Sequence, residues 1–229
     1  MPQRDTYRPP AAGFSVMPPI IKNLLILNGL LFLAQFVAAE TLPPSSLMPR
    51  VLDFLVLHPP GVQETFFLQG PDQVGFWPWQ LVTYGFLHAG FWHIFFNMFI
   101  LWMFGMQIEN TWGSKRFAIF YFVCIIGAGL THLSFVDSPV IGASGAVFGV
   151  MLAFAMMFPD RPIYLYFLFP VKAKWLMLGL GALELFYGFS GAQGNVANFA
   201  HLGGMVCGFV AIQYWRGKLP IKPDRVMRW

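Results

Sequence analysis

Long apolar runs, each closed by a short polar or glycine-rich stretch, recur along this chain from residue 20 to residue 215. A membrane-spanning helix takes about 20 mostly apolar residues. Runs of that order lie at 20–38, 91–107, 117–135, 144–158, 173–189 and 197–215, so the pattern predicts six spanning helices. The fourth run is short, as expected of a helix whose N-terminal end stops inside the bilayer. Between the first two runs, residues 40–90 make a connection far longer than the rest. Pro43, Pro44, Pro59, Pro60 and Pro71 punctuate it, residues 47–57 form a possible amphipathic stretch, and Phe66, Phe67, Phe76, Trp77 and Trp79 add aromatic surface. It reads either as an interfacial loop with an aromatic belt or as a structured element that helps to build a site.

Composition fits a bilayer as solvent. Hydrophobic residues make up 57% of the 229 positions and charged residues 10%, against about 25% charged in soluble domains. Such a chain cannot cover itself with polar groups, and it is too rich in Phe, Trp and Leu to be disordered. Cys124 and Cys207 each fall inside an apolar run, which gives no sign of a disulfide framework. The net charge of +4 does not point to nucleic acid, because no basic patch is interleaved with aromatics. The basic residues sort by membrane side instead. With the N-terminus cytoplasmic, every Lys and Arg except Arg50 falls on the cytoplasmic side, as the positive-inside bias requires. The expected organisation is a cytoplasmic tail at 1–19, a six-helix domain at 20–215 and a basic cytoplasmic tail at 216–229. One competing reading takes Arg4, Arg8 and Lys22 with the apolar run 24–39 as a cleaved signal peptide, although its length favours a retained span. No internal repeat is evident, so a transporter built on inverted repeats loses its usual pointer.

The informative residues are the polar ones that lipid would not tolerate. In the second run, His93 and Asn97 are four apart and share a helix face one turn from each other; His88 lies just before them. The fourth run opens on Gly142-Ala143-Ser144-Gly145, and the sixth carries Asn198 and His201 on consecutive turns. Small residues recur every four positions at Gly145, Gly149 and Ala153 and again at Ala200, Gly204 and Gly208, a pattern that lets helix backbones approach closely. If those two helices pack together, Ser144 comes within reach of His201, the arrangement a nucleophile and its base need. Taken singly, each residue has a duller use in packing or interhelical hydrogen bonding. A metal site is the other option for the histidines, but HExxH is absent and no carboxylate follows at a useful spacing, so no metal or other cofactor is expected. Glu184, an ionisable residue within the fifth run, has no role in this scheme and reads as a hydrogen-bonded or protonated packing residue.

These motifs resemble those of the rhomboid intramembrane serine proteases. The resemblance runs from about Pro19 to Arg216 through His93…Asn97, Gly142-Ala143-Ser144-Gly145 and Ala200-His201…Gly204…Gly208. It implies an all-α membrane protein, a six-transmembrane-helix bundle with a long, partly structured first outer loop, of multi-pass topology in a bacterial cytoplasmic membrane. By this resemblance Ser144 is the nucleophile and His201 the base of a Ser-His dyad. His93 and Asn97 stabilise the oxyanion with the Ser144 backbone N–H. Gly142, Gly145, Phe148, His88 and Asn198 support the site, and Glu109 matches an acidic loop residue. Two positions depart from the pattern: a Trp-Arg pair of the first loop is Trp79-Gln80 here, and an aromatic that is often Tyr is Phe148, able to stack on His201 without hydrogen-bonding to it. The implied substrates are transmembrane segments of other proteins, unwound near the outer boundary. Trp92, Phe96, Phe186 and Phe189 are candidate gate residues, with plain lipid-facing packing as their simpler reading, and the uncharged loop 190–196 is a candidate movable cap. A catalytically inactive relative that only captures transmembrane segments shares this fold, but retention of both Ser144 and His201 argues against it. A transporter is the remaining alternative.

Overall fold

The computed structural model describes residues 13–43, 46–62, 65–67, 75–165, 168–191, 197–224 and 226–228. Arg4, Arg8, Pro44, Pro71 and most of the candidate cap at 192–196 lie outside the described residues. Eight helices are present among the described residues: α1 (Pro19–Thr41), α2 (Leu47–Leu55), α3 (Gln80–Thr83), α4 (Phe91–Trp112), α5 (Ser114–Phe135), α6 (Ser144–Met157), α7 (Ala173–Ser190) and α8 (Asn198–Trp215). A 3₁₀ turn at Tyr84–Phe86 follows α3, and a π-type turn at Leu101–Gly105 interrupts α4. By length and composition α1, α4 and α5 can each cross a membrane, and α6 is a shorter apolar helix. Their outward faces are apolar: Ile26, Leu30, Leu33 and Phe36 of α1 and Phe91, Trp92, Phe95 and Phe96 of α4 are all exposed. A surface of that kind is stable against lipid and not against water. The chain is an integral membrane protein.

One element departs from an all-helical expectation. The connection between α6 and α7 folds as an antiparallel pair, β1 (Pro162–Leu165) and β2 (Phe169–Lys172), with Pro162 opposite Lys172 and Leu165 opposite Phe169. Ile163, Tyr164 and Val171 are residues that favour extended backbone, and a short tether between two helix ends lets them pair. Asp160 sits beside this hairpin within 2.8 Å of Lys174 Nζ and 3.2 Å of Lys172 Nζ. The hydrogen bonds from Lys174 and then Lys172 hold its carboxyl below the usual carboxylate range.

The helices that matter most for the site are α5, α6 and α8, which pack on one another. Lipid supplies no hydrophobic drive between helices, so close van der Waals contact has to do this work. Small residues make that contact possible. A Cβ on Gly204 of α8 would overlap the Gly145 carbonyl of α6, and one on Gly149 would lie 3.2 Å from the Gly204 carbonyl. A Cβ on Gly145 would lie 3.3 Å from the Ala200 carbonyl, so contacts advance together from Gly145 with Ala200 to Gly149 with Gly204 and α6 and α8 run parallel, with Ser144 and Asn198 beginning their helices at the same end. Helix α5 runs against both, Ala128 meeting Gly145 and Cys124 meeting Gly149 and Gly208.

Helix α1 is tied to this core at both ends. The Glu109 carboxylate of α4 accepts the backbone N–H groups of Ile20 at 3.0 Å and Ile21 at 2.9 Å, and the Ser114 hydroxyl donates to it at 2.6 Å. A carboxylate at a helix N-terminus satisfies orphan donors and suits the helix dipole. At the other end, Gln35 exchanges two hydrogen bonds with the backbone of His88, each of 3.1 Å. With α6 and α8 parallel and α5 antiparallel to them, Lys115, Arg161 and Arg216 fall at the end of the molecule opposite Ser144, and the Glu109 contacts with Ile20, Ile21 and Ser114 put Lys22 and Glu109 at that end too.

The close approach of α6 and α8 makes a direct prediction. Gly204→Ala should destabilise the folded protein by about 3 kcal/mol, since the added methyl meets backbone that cannot turn aside. Gly29→Ala on α1, where nothing lies within 4 Å, should leave the thermal unfolding midpoint in detergent almost unchanged. Equal midpoints for the two variants would contradict the packing described.

Candidate active site

Ser144 is the first residue of α6, and His201 sits one turn into α8. The parallel packing of those helices sets His201 Nε2 2.7 Å from Ser144 Oγ, a hydrogen-bond distance. The imidazole stacks on Phe148, one turn along α6, with ring centroids 4.5 Å apart and planes 13° from parallel. Both Ser144 and His201 open onto a cavity of 630 Å³ that Ala89, His93, Ser138, Pro139, Val140, Ile141 and Ala197 also line, with Thr65 and Phe66 reaching in from the first outer connection.

His93 faces the same cavity from α4. Its Nδ1 accepts the backbone N–H of Ala89 at 3.3 Å, so in the neutral ring the proton sits on Nε2, which becomes a donor. That nitrogen lies over Gly142. A Cβ at Gly142 would come within 2.8 Å of the His93 ring and 3.8 Å of Ser144 Oγ. Gly142 also has φ +128, in the region that favours glycine. Glycine therefore serves twice here, in backbone conformation and in leaving the space between His93 and Ser144 open. The amides at the start of α6 have no helical partner by position, and no side chain caps them.

The other expected residues are placed as follows. Asn97 is buried one turn beyond His93, where its amide donates to the His93 carbonyl at 2.8 Å, and it is not among the residues lining the cavity. His88 is buried against His93, ring centroids 5.0 Å apart and edge to face. Gly145 makes the close contact between α6 and α8. Asn198 donates to Glu184 Oε2 at 2.7 Å. That bond agrees with the expectation that Glu184 is a hydrogen-bonded residue within its helix, and the same oxygen lies 3.0 Å from His201 Nδ1. Trp92, Phe96, Phe186 and Phe189 are all exposed on the outward faces of α4 and α7.

The walls of the cavity rest on the long connection before α4, and sequence reasoning missed how. Leu57 and Val140 exchange backbone hydrogen bonds of 3.2 and 3.0 Å, joining that connection to the loop leading to Ser144. The Gly142 N–H donates to the Tyr84 carbonyl at 2.9 Å, and Tyr84 Oη donates to the Ile125 carbonyl of α5 at 2.8 Å. Fully buried Asp53 accepts the N–H groups of Phe66 at 2.6 Å and Phe67 at 2.9 Å, which sets Phe66 over the cavity. Gln80, one of the two departures from the rhomboid pattern, is fully buried too. Its carbonyl accepts from the N–H groups of His58 and Trp77, both at 3.2 Å, while its amide donates to Phe54 at 3.4 Å and Gly75 at 3.1 Å. An arginine has no acceptor and could not replace that set.

Comparison with known proteins now becomes decisive. Residues 76–217 match the model of the rhomboid domain family. The chain belongs to the rhomboid family. It is 33% identical over 134 residues to the protein named "Rhomboid protease GluP" of Bacillus subtilis, covering 58% of this chain and 25% of that protein. It is 32% identical over 136 residues to "Rhomboid protein 1, mitochondrial" of Saccharomyces cerevisiae, covering 56% and 39%. With "Rhomboid-like protease 1" of Toxoplasma gondii the figures are 31% over 156 residues, 63% and 50%. The chain thus spans a quarter to a half of the length of these curated relatives. Rhomboids of bacteria and of mitochondria stand side by side among them, so the family carries a membrane location and not a particular compartment.

The buried Gln80 sets the prediction for this region. Gln80→Leu removes the partner of the His58 and Trp77 N–H groups and of the Gly75 carbonyl, while the Phe54 carbonyl keeps the Trp79 indole N–H at 3.2 Å; the loss should lower stability by about 3 kcal/mol. It should also open residues 54–62 and 75–79 to limited proteolysis; a variant as resistant and as stable as the wild type would show that Gln80 does not hold the cavity wall.

Proposed function

We propose that this rhomboid is an intramembrane serine endopeptidase that cleaves transmembrane segments of other proteins near the outer membrane boundary. The observation that carries the reading is the 2.7 Å contact of His201 Nε2 with Ser144 Oγ at a cavity in a membrane-embedded helix bundle. Two of the relatives above bear protease names. In this proposal α1, α4, α5, α6, α7 and α8 are the six spanning helices, the connection 40–90 is the first outer loop, and residues 1–19 and 216–229 are cytoplasmic tails. The gathering of Lys22, Lys115, Arg161 and Arg216 at the end opposite Ser144 supports that orientation through the positive-inside bias.

The chemistry follows from the protons. His201 Nε2 removes the Ser144 hydroxyl proton as Oγ attacks the scissile carbonyl carbon, giving a tetrahedral oxyanion. His93 Nε2–H and the unpaired amides at the start of α6 supply donors to that oxygen where the helix dipole already favours negative charge. Asn97, outside the cavity lining with one N–H on the His93 carbonyl, joins these donors when its side chain turns its second N–H toward the oxyanion. Collapse of the intermediate passes the proton from His201 to the departing amine and leaves an acyl-enzyme on Ser144. Water then attacks the ester, again with His201 as base, and frees the enzyme. No cofactor takes part. A substrate helix must unwind locally to present its backbone, so segments with Gly or Pro near the outer boundary are the preferred class.

The test is cleavage of a single-span protein with such a segment, reconstituted in liposomes. Ser144→Ala and His201→Ala should each lower turnover a thousandfold or more, on the order seen when a nucleophile or base is removed. His93→Ala should lower kcat by about a hundredfold with KM little changed, the cost of losing one oxyanion donor. Product from Ser144→Ala would show that the nucleophile is another residue. A wild type that binds several substrates and cleaves none would make this chain a capture protein.

A further inference from the structure

The stack of His201 on Phe148 fixes the plane of the imidazole but not which nitrogen faces Ser144. A phenyl ring has no donor or acceptor to choose between them. Deprotonating Ser144 requires a lone pair on Nε2, so the neutral ring must hold its proton on Nδ1. The polar group that meets Nδ1 is Glu184 of α7, with Oε2 at 3.0 Å. This approach lies off the line of a full hydrogen bond, and the two side chains are 11% and 13% exposed. Asn198 donates to the same oxygen at 2.7 Å, holding the carboxylate in place from the helix that carries His201.

We propose that Glu184 is a positioning residue that makes this site a Ser-His-Glu relay: its carboxylate fixes the Nδ1–H tautomer of His201 and stabilises the imidazolium that forms during attack. The proposal rests on the proteolytic reading above. Glu184 is not among the residues lining the cavity, so it acts through His201 and not on substrate. A carboxylate oxygen facing an Nδ1 lone pair is repelled, whereas one facing Nδ1–H is attracted, and that attraction grows when Nε2 takes up the Ser144 proton during attack. Among the described residues, the other groups around His201 do not supply this. Ser144 is bound to Nε2, Phe148 is apolar, His93 faces from α4 as a second imidazole, and Asn198 directs its amide to Glu184. An ionisable residue on a lipid-embedded helix thereby gains a partner that accounts for its presence.

Glu184→Gln keeps the size and an acceptor for Asn198 but removes the charge and allows an N–H toward Nδ1, which favours the wrong tautomer. In a buried, well-aligned triad the corresponding swap costs about 10⁴-fold in kcat. The off-line, partly exposed contact here should give a smaller loss, about 10- to 100-fold in kcat on the liposome substrate, with KM within about twofold of wild type. Glu184→Asp, which keeps the charge, should recover part of the lost rate. Wild-type kcat in Glu184→Gln overturns the proposal, as does loss in Glu184→Ala alone with Gln fully active, the signature of packing. A second measurement needs no variant to remain folded. Nitrogen-15 NMR of histidine-labelled wild type should find the neutral His201 proton on Nδ1, and a proton on Nε2 overturns the proposal. If the wild type cleaves nothing, the proteolytic reading falls, while the NMR result still decides the Glu184 contact.

Discussion

Everything at the site depends on how closely α6 can approach α8. A serine side chain is short, and at ordinary interhelical distances of about 8–10 Å bulky neighbours would hold Ser144 away from His201. Gly145, Gly149 and Gly204 remove that obstacle, to the point that a single methyl at Gly204 would overlap the Gly145 backbone. Helix α5 closes on the same pair through Ala128 and Cys124. Packing in lipid is therefore the source of the reactive geometry as well as of stability, because small residues at the contact set the distance between the two polar side chains.

A second constraint comes from outside the bundle. Ser144 begins its helix at the end of a loop, and a loop alone would not hold the residue to a fraction of an ångström. Here the loop is pinned by backbone exchange between Leu57 and Val140 and by the Gly142 bond to Tyr84, whose hydroxyl is anchored on α5. Asp53 and Gln80 give the preceding connection its own polar interior, in which Asp53 Oδ1 and both ends of the Gln80 amide bind backbone groups of the segments they join. The bundle sets the spacing of Ser144 and His201, and this connection walls the cavity onto which both open.

Much of this was legible in the sequence. The apolar run at 144–158 became Ser144–Met157, and that at 197–215 became Asn198–Trp215, because apolar length is a strong signal. The four-residue spacing of Gly145, Gly149, Gly204 and Gly208 pointed to close helix contact, and Ser144 with His201 followed from it. What stayed hidden was long-range polar pairing. Asp53 with Phe66 and Phe67, Gln80 with four partners, and Gln35 with the His88 backbone join segments that no periodicity connects. Glu184 was visible as a misplaced charge, yet its contact with His201 depends on how α7 lies against α8. Matching two unmet needs, a carboxylate in lipid and an Nδ1 without a partner, was the one available clue. The hairpin of β1 and β2 escaped because a short charged connection carries too few residues for alternation to stand out.

The central claim is that Ser144 is an activated nucleophile at membrane depth. Reaction of the wild-type protein in liposomes with a serine-directed fluorophosphonate, followed by intact mass and peptide mapping, addresses it without any choice of substrate. The account predicts one adduct per chain, located on Ser144, formed far more slowly when His201 is replaced by Ala. An adduct on another serine, or labelling of Ser144 at the same rate without His201, would contradict it.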